Sequence, residues 1–542
     1  LKENAMYCRF ALAAALLWLA VPAGAQDAPA VPPDDVLESQ GATIGEVSVH
    51  VGDVFDPSIP EEDRSLFRLA NRLHRTTREG VIRDQLLFRS GDRYSPRLVA
   101  ESERILRKDR YLYDAKIRPV RYDGNRVDLE VVTRDVWTLN AGFGFGRSGG
   151  ASSNSVQIQD TNLLGTGKSL TLLHSSNVDR TTSLLRYDDP GVLGSRVRLG
   201  LAASNNSDGS LRMLDVARPF YSLETRWSAR LIALSESKVD TLYELGHAAE
   251  GFRHEQDRLE IEGGVSQGLV DGWTDRWTAG LTWRRDRFSL ADGHSLPASL
   301  PGERILAYPW IAWDRIEDHF LETHNLDQIQ RTEDLQLGGR LHARLGFASP
   351  SFGATEDAAV FDAAAATGWK PSPDQTVLLS SDLAGRWGRD GAEDLLASGG
   401  ARYYWRDWGE HLLFLTLEGA VARNLDPEKQ LLLGGDSGLR GYPLRYQDGD
   451  ARMLFTVEQR FFTGFYPFHL LHVGGAVFFD AGRTWGGGAS ELGLLRDAGI
   501  GLRLSSSRSG LGNVIHVDLA FPLDGDPSIR STQWLVTTKA TF

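Results

Sequence analysis

Residues Leu431–Trp485 read LLLGGDSGLRGYPLRYQDGDARMLFTVEQRFFTGFYPFHLLHVGGAVFFDAGRTW. Two parts of this stretch matter most: the glycine-rich loop Gly434-Gly435-Asp436-Ser437-Gly438-Leu439-Arg440-Gly441-Tyr442, and the segment Val477-Phe478-Phe479-Asp480-Ala481-Gly482. Between them Leu454–Arg460 alternates in polarity and carries Glu458. An arginine taken out of water on such a loop needs an acidic partner. Asp480 and Glu458 sit on apolar-rich strands, where a lone carboxylate is costly. The expectation is that the loop folds back and that Arg440 bridges both acids, as a guanidinium can do bidentately. The strand period places Thr456, Glu458 and Arg460 on one face, with Phe455 and Val457 on the other. Asp480 faces with Phe478, opposite Val477 and Phe479. The competing reading makes each acid a solvated charge of a barrel interior, which such interiors hold in plenty.

These residues resemble the signature of the BamA/TamA superfamily of outer-membrane proteins, which also includes two-partner secretion transporters. In that family a V-R-G-F/Y tip on the sixth extracellular loop tucks into the barrel. Its arginine pairs with the aspartate of an F-x-D-x-G motif on strand thirteen and often with a glutamate on strand twelve. Here the tip is Leu439-Arg440-Gly441-Tyr442, with Leu439 a mild departure from Val or Ile. Phe478-Phe479-Asp480-Ala481-Gly482 contains the strand motif. The resemblance implies a sixth-loop lock made by Arg440, Gly441, Tyr442, Glu458, Asp480 and Gly482.

Downstream of Thr138 the period-2 pattern runs to the end. In Thr138–Arg147 (TLNAGFGFGR) Ala141, Phe143 and Phe145 share one face, and Gly142, Gly144 and Gly146 the other. Arg196–Ala202, His411–Val421 and Asn513–Phe521 alternate likewise. Ser531–Phe542 places Trp534, Val536, Thr538, Ala540 and Phe542 on one face. A final strand ending in Phe resembles the sorting signal of bacterial outer-membrane barrels, and Asp160-Thr-Asn-Leu-Leu-Gly-Thr-Gly167 resembles the D-x-N-L-x-G-x-G turn after the family's early strands. At ~10 residues per strand plus turns and loops, residues 138–542 accommodate about sixteen antiparallel strands, which is also the family number. Such a structure must close, because an open edge in lipid leaves backbone groups unpaired.

Upstream, three segments are expected. Residues 1–25 read as a signal peptide starting at Met6: Arg9 is basic, Phe10–Val21 is apolar and Ala23-Gly24-Ala25 is a small-x-small cleavage site. The apolar run falls short of the ~20 residues of a membrane helix. Cys8, the only cysteine, follows Ala5-Met6-Tyr7 rather than a leucine-led lipidation box. Residues 26–42 read as a Pro/Ala/Asp-rich linker with little structure and no helical pattern. Residues 43–137 form a small α+β unit. It has a strand at Ile44–Val51, a helix over Thr77–Arg89, a second helix opened by Ser95-Pro96 and running to about Arg107, and strands at Tyr111–Tyr122 and Arg126–Trp137 around an Asp123-Gly124-Asn125 turn. Pro57–Arg75 reads as an insertion. The order β-α-α-β-β before a barrel resembles one POTRA domain, the family's periplasmic module. The resemblance thus implies an all-β transmembrane barrel of about sixteen strands behind a single POTRA.

Composition narrows the function. A net charge of −13 argues against nucleic-acid binding. A mean hydropathy of −0.28 fits a soluble all-β protein as well as a barrel, whose alternation dilutes the apolar signal. Gly435-Asp436-Ser437-Gly438 invites a protease reading, but no histidine-bearing protease motif precedes it. Asn162–Ser169 mimics a phosphate loop, yet Asn162 stands where glycine is required and a strand follows. His247 and His254 lack zincin spacing and read as solvated. His516 and Asp518 share a face, and read as lumen residues rather than a metal pair. No catalytic set, metal site or cofactor is expected.

The resemblance implies insertion or translocation of other proteins at the outer membrane of a Gram-negative bacterium, with lipids and extended client proteins as partners and periplasmic partners at the POTRA. The POTRA would take a client by strand addition. The seam between Thr138–Arg147 and Ser531–Phe542 (Phe143, Gly144, Phe145, Trp534, Phe542) would be weak, since glycine lowers pairing stability and an opened edge templates a client strand. The alternatives are a dedicated transporter of one soluble partner, against which the absence of a plug-helix pattern in Gln26–Gln40 counts, and a plain channel or structural barrel.

Overall fold

A computed structural model describes residues 31–295, 299–406, 409, 411–486, 492–510, 514–524, 527 and 529–539. The expected signal peptide over 1–25, residues 26–30 of the expected linker, and Ala540 and Phe542 of the expected last strand lie outside the described residues.

Among those residues twenty antiparallel strands close into one barrel, from Leu139–Ser148 to Gln533–Lys539. The expectation of sixteen is corrected. The first six strands are only 8–10 residues long and are joined by tight turns, so more of them fit into a given length than an average spacing allows. Others are far longer, His247–Val270 having 24 residues. The Arg440 loop therefore follows the fifteenth strand, His411–Arg423, and is not the sixth loop of its end. Glu458 lies on the sixteenth strand, Ala451–Phe462, and Asp480 on the seventeenth, Leu471–Trp485, rather than on strands twelve and thirteen. Three strands follow Asp480's strand, as three follow strand thirteen of sixteen, so the four additional strands lie upstream of the motif.

Alternation sets the two faces. On Val514–Pro522, Ile515, Val517, Leu519 and Phe521 are exposed outward while His516, Asp518 and Ala520 are buried inward. Exposed tryptophans mark both rims: Trp227, Trp277, Trp369 and Trp405 toward the end that bears the small domain (the near end), and Trp387, Trp485 and Trp534 toward the far end. This is the girdle pattern of a lipid-facing barrel.

The small domain has a three-stranded sheet in which Arg126–Asp135 is central, parallel to Thr43–Gly52 and antiparallel to Leu112–Tyr122. Helix Pro96–Arg107 packs on it through Val99 and Leu106, into a core with Ile44, Ile82, Leu112, Ile117, Leu129 and Val131. Three expectations change. The helix expected over Thr77–Arg89 is limited to Glu79–Arg83, since the Leu86 amide donates to the Arg83 carbonyl and the Leu87 amide to Ser102 Oγ instead. The Pro57–Arg75 insertion holds a helix, Ser65–Leu73, anchored by Phe67 stacked on Phe55 with ring centroids 4.2 Å apart. The expected linker contains a helix, Asp34–Ser39, favoured by the prolines before it and by Asp34 and Asp35 in its first turn. Its Leu37 is buried in the small domain's core, so it is not a barrel plug.

Candidate functional site

The loop 424–450 leaves the fifteenth strand at the far end and turns into the lumen. Gly438 adopts φ +115 there, and a side chain at that position would collide with Leu454, so only glycine lets the tip turn inward. Leu439 and Tyr442 are fully buried and pack with Leu433, Tyr446, Leu454 and Leu495. Between them Arg440 extends its guanidinium to both acids. Nε and Nη2 donate to the two oxygens of Asp480 at 2.7 and 3.0 Å, and Nη1 donates to Glu458 at 2.9 Å. Its charge also lies 3.3 Å above the Phe478 ring centroid.

The site is larger than this triad. Thr456 donates to Asp480 at 2.7 Å. Glu458 also receives Arg460 at 3.0 Å and Arg503 at 3.2 Å, and Arg503 in turn holds Asp518. Arg440, Arg460, Arg503, Glu458, Asp480 and Asp518 are all buried. Arginine and carboxylate charges stacked this closely satisfy one another, which a lone buried ion could not. Gly441 is the contact point of the tip: a Cβ there would lie 2.7 Å from Asp497 Cβ and 3.0 Å from the Pro522 nitrogen. Gly482 gives Leu433 its room, since a Cβ would lie 2.9 Å from Leu433 Cδ2. Tyr442 donates to the Arg496 carbonyl at 2.8 Å. Arg460 and Arg503 were not singled out in the sequence; the alternation that put Arg460 on the face of Glu458 was the available signal.

The same loop crosses the far mouth. Asp426 takes a bidentate pair from Arg386, and Arg304 reaches Asp426 and Glu428. Gln430 exchanges bonds with the backbone of Tyr243 at 2.7 and 3.0 Å. Arg445 pairs bidentately with Asp179, and Ser148 donates to the Gly435 carbonyl at 2.8 Å.

The near mouth is occupied by a segment that sequence reading missed. Residues 318–339, between the tenth and eleventh barrel strands, form a hairpin of Phe320–His324 and Thr332–Gln336. Its tip enters the lumen, where Leu326 and Ile329 pack against inward residues of strands thirteen to nineteen, among them Leu378, Tyr404, Leu412 and Phe462. The small domain covers it from below: Arg107 pairs bidentately with Asp334, Tyr113 donates to the Gln330 carbonyl at 2.6 Å, and Arg331 donates to the Leu112 carbonyl at 3.0 Å. Glu333 accepts the tip amides of Leu326 and Asp327 at 2.8 and 2.9 Å, and burial pushes its carboxyl up to about 7. Tip and lock share one residue, since Arg460 donates both to the Leu326 carbonyl and to Glu458.

Among the described residues the last strand meets the first through one register pair, Val536 opposite Arg147, whereas on its other side it runs in register with the nineteenth strand from Val514–Lys539 to Ala520–Gln533. Phe145 and Trp534 stack across it with centroids 6.0 Å apart, and Arg147 lies over the Trp534 ring. Phe143 is exposed, and Gly144 faces Ser155.

The remaining motifs have structural settings. Asn162–Ser169 spans the turn after the second strand, where Gly165 (φ +72) approaches the small domain so closely that a Cβ would lie 2.3 Å from the Thr76 carbonyl oxygen, and Asn162 donates to Thr77 at 2.7 Å. Asp189-Pro-Gly-Val-Leu-Gly194 repeats the shape, with Leu193 and Leu164 both at φ 55. Ser437 closes the Gly434 turn, accepting from the Gly434 amide at 2.7 Å. The expectation that His254 is solvated is corrected: it is buried between Asp240 at 2.7 Å and Asp286 at 3.1 Å, because its strand is inward-facing there.

No family model and no curated protein matches the chain. Solved structures do. BamA from Haemophilus ducreyi lacking POTRA domains 1–3 matches at 13% identity over 92% of this chain and 85% of that one, with a TM-score of 0.39. CdiB from Acinetobacter baumannii matches at 11% identity over 92% and 73%, with a TM-score of 0.42. CdiB from Escherichia coli matches at 12% over 92% and 77%, with a TM-score of 0.42.

Proposed function

We propose that this chain is an outer-membrane barrel of a Gram-negative bacterium that inserts or translocates other polypeptides. In this reading residues 1–25 direct export, the tryptophan-bordered belt meets lipid, and the small domain lies in the periplasm as a POTRA that receives an extended client. The observation that carries the reading is that, among the described residues, the closure has one register pair, Val536 with Arg147. A barrel in lipid needs every strand edge paired, so the join with the least pairing among the described residues is where an edge can be exchanged for a client strand at least cost. The Arg440 lock supports the reading from the opposite side. It fixes strands sixteen to nineteen as one charged, buried unit, leaving the seam as the mobile joint.

A second reading, transport of one soluble partner through the lumen, is favoured by a different observation: both mouths are occupied by the chain's own segments, loop 424–450 and hairpin 318–339. Photo-crosslinking in cells separates the two. A reactive group at Phe143 or Gln533 that traps several unrelated barrel proteins supports insertion. Capture of a single secreted protein, from lumen positions such as Tyr404, supports transport. Capture of the chain's own strands alone overturns both.

A further inference from the structure

We infer that the lumen wall at the near mouth is a binding site for an extended client segment in which two aliphatic residues flank a carboxylate, and that hairpin 318–339 occupies it in the client's place. The inference rests on the reading above that a polypeptide enters by the near mouth, and it names the chemistry of the entering segment.

The wall is the first reason. Barrel interiors of this size are polar, yet here Leu378, Tyr404, Leu412, Phe462, Ala476 and Val514 all turn inward at one level and make a continuous apolar patch. Without the hairpin that patch would face water, at a cost a protein avoids unless the surface binds something. The occupant is the second reason. Leu326 and Ile329 are buried on the patch, with Asp327 beside Leu326. The phenol of Tyr404 donates to Asp327 at 3.1 and 3.3 Å, Arg460 reaches it at 3.2 Å and Arg402 at 3.7 Å. Arg460 also holds the Leu326 carbonyl, and Arg406 the His324 carbonyl. These are contacts to aliphatic side chains, one carboxylate and main-chain carbonyls, all of which an unfolded polypeptide can present without any fold of its own. The cover is the third reason. The strand Leu112–Tyr122, an edge of the small domain's sheet, holds the hairpin through Tyr113 and the Leu112 carbonyl. A client drawn onto that edge is thereby placed beside the site and competes with the hairpin's own anchors.

The test uses the full chain in planar bilayers. Leu326→Asp with Ile329→Asp expels the tip, and a second variant replaces residues 325–330 with Gly and Ser. Both are expected to raise ion conductance severalfold over the parent. A synthetic peptide of residues 322–334 (ETHNLDQIQRTED) is then expected to reduce it saturably. The Asp327→Asn peptide should bind about tenfold more weakly, since a charged hydrogen-bond partner is lost. A peptide with both aliphatic residues replaced by Asp should have no effect. Unchanged conductance in both folded variants, or equal block by a scrambled peptide, overturns the inference. Should neither variant fold, a photoreactive group at Tyr404 in the parent chain decides. Crosslinking to the fragment that contains Leu326, competed away by excess peptide, supports the site, and crosslinking that excess peptide does not reduce contradicts it. Specific block by the peptide with no client trapped at Phe143 or Tyr404 in cells would keep the site and discard the function proposed above.

Discussion

At the residue scale the lock is governed by how many partners each charge retains. Arg440→Ala leaves Asp480 with only Thr456 as a side-chain donor among its described bonds, whereas Glu458 keeps Arg460 and Arg503. Breaking a buried pair from one side costs ~3–5 kcal/mol. The expected result is a marked fall in the temperature at which the folded form is lost on heating in detergent. Arg440→Lys should recover only part of the loss, because an ammonium cannot span both Asp480 oxygens and Glu458. Asp480→Asn combined with Arg440→Ala should cost clearly less than the sum of the single changes, since both remove one interaction. Gly441→Ala tests the tip: its Cβ has no room beside Asp497 and the backbone of Pro522, so a loss of ~1–3 kcal/mol is expected with every charge intact.

At the scale of elements, hairpin 318–339 is predicted to respond to pH through Glu333. Its carboxyl is raised to about 7 in the docked hairpin by burial, from an ordinary 4.5, with Asp327 adding repulsion and the tip amides opposing it. A group raised in this way stabilises docking fully below its ordinary value and loses that contribution as pH rises through about 7. Conductance across the barrel should therefore be lower at pH 5 than at pH 8, and Glu333→Gln should flatten the difference. An opposite slope, with conductance rising in acid, would refute this account of the hairpin.

At the scale of the whole molecule, what could be read in the sequence was what alternates or recurs locally. Glu458, Asp480 and Arg440 were legible because a period of two assigns a face to each strand residue, and because a buried guanidinium demands acids. The small domain's strands were legible for the same reason. The number of strands was not, because the first six are short and His247–Val270 is long, so no average spacing applies. The hairpin tip was not legible either. Asn325-Leu-Asp-Gln-Ile-Gln330 has neither strand nor helix periodicity, and the partners of Leu326 and Ile329 lie on strands far along the chain. His254 was misplaced because its burial depends on Asp240 and Asp286 arriving from neighbouring strands. Long-range partners thus decide both the lumen network and the near plug: loop 424–450 and hairpin 318–339 occupy the two mouths, and one ion-pair network ties strands sixteen to nineteen together.

The proposed exchange of the edge between strands twenty and one for a client strand can be tested by locking that edge. With Arg147→Cys and Val536→Cys introduced and Cys8 replaced by Ser, the seam can be covalently closed and reopened while a photoreactive group at Phe143 reports contact with other polypeptides in cells. Capture at Phe143 is expected to collapse when the disulfide forms and to return on reduction. Undiminished capture with the seam locked would contradict it.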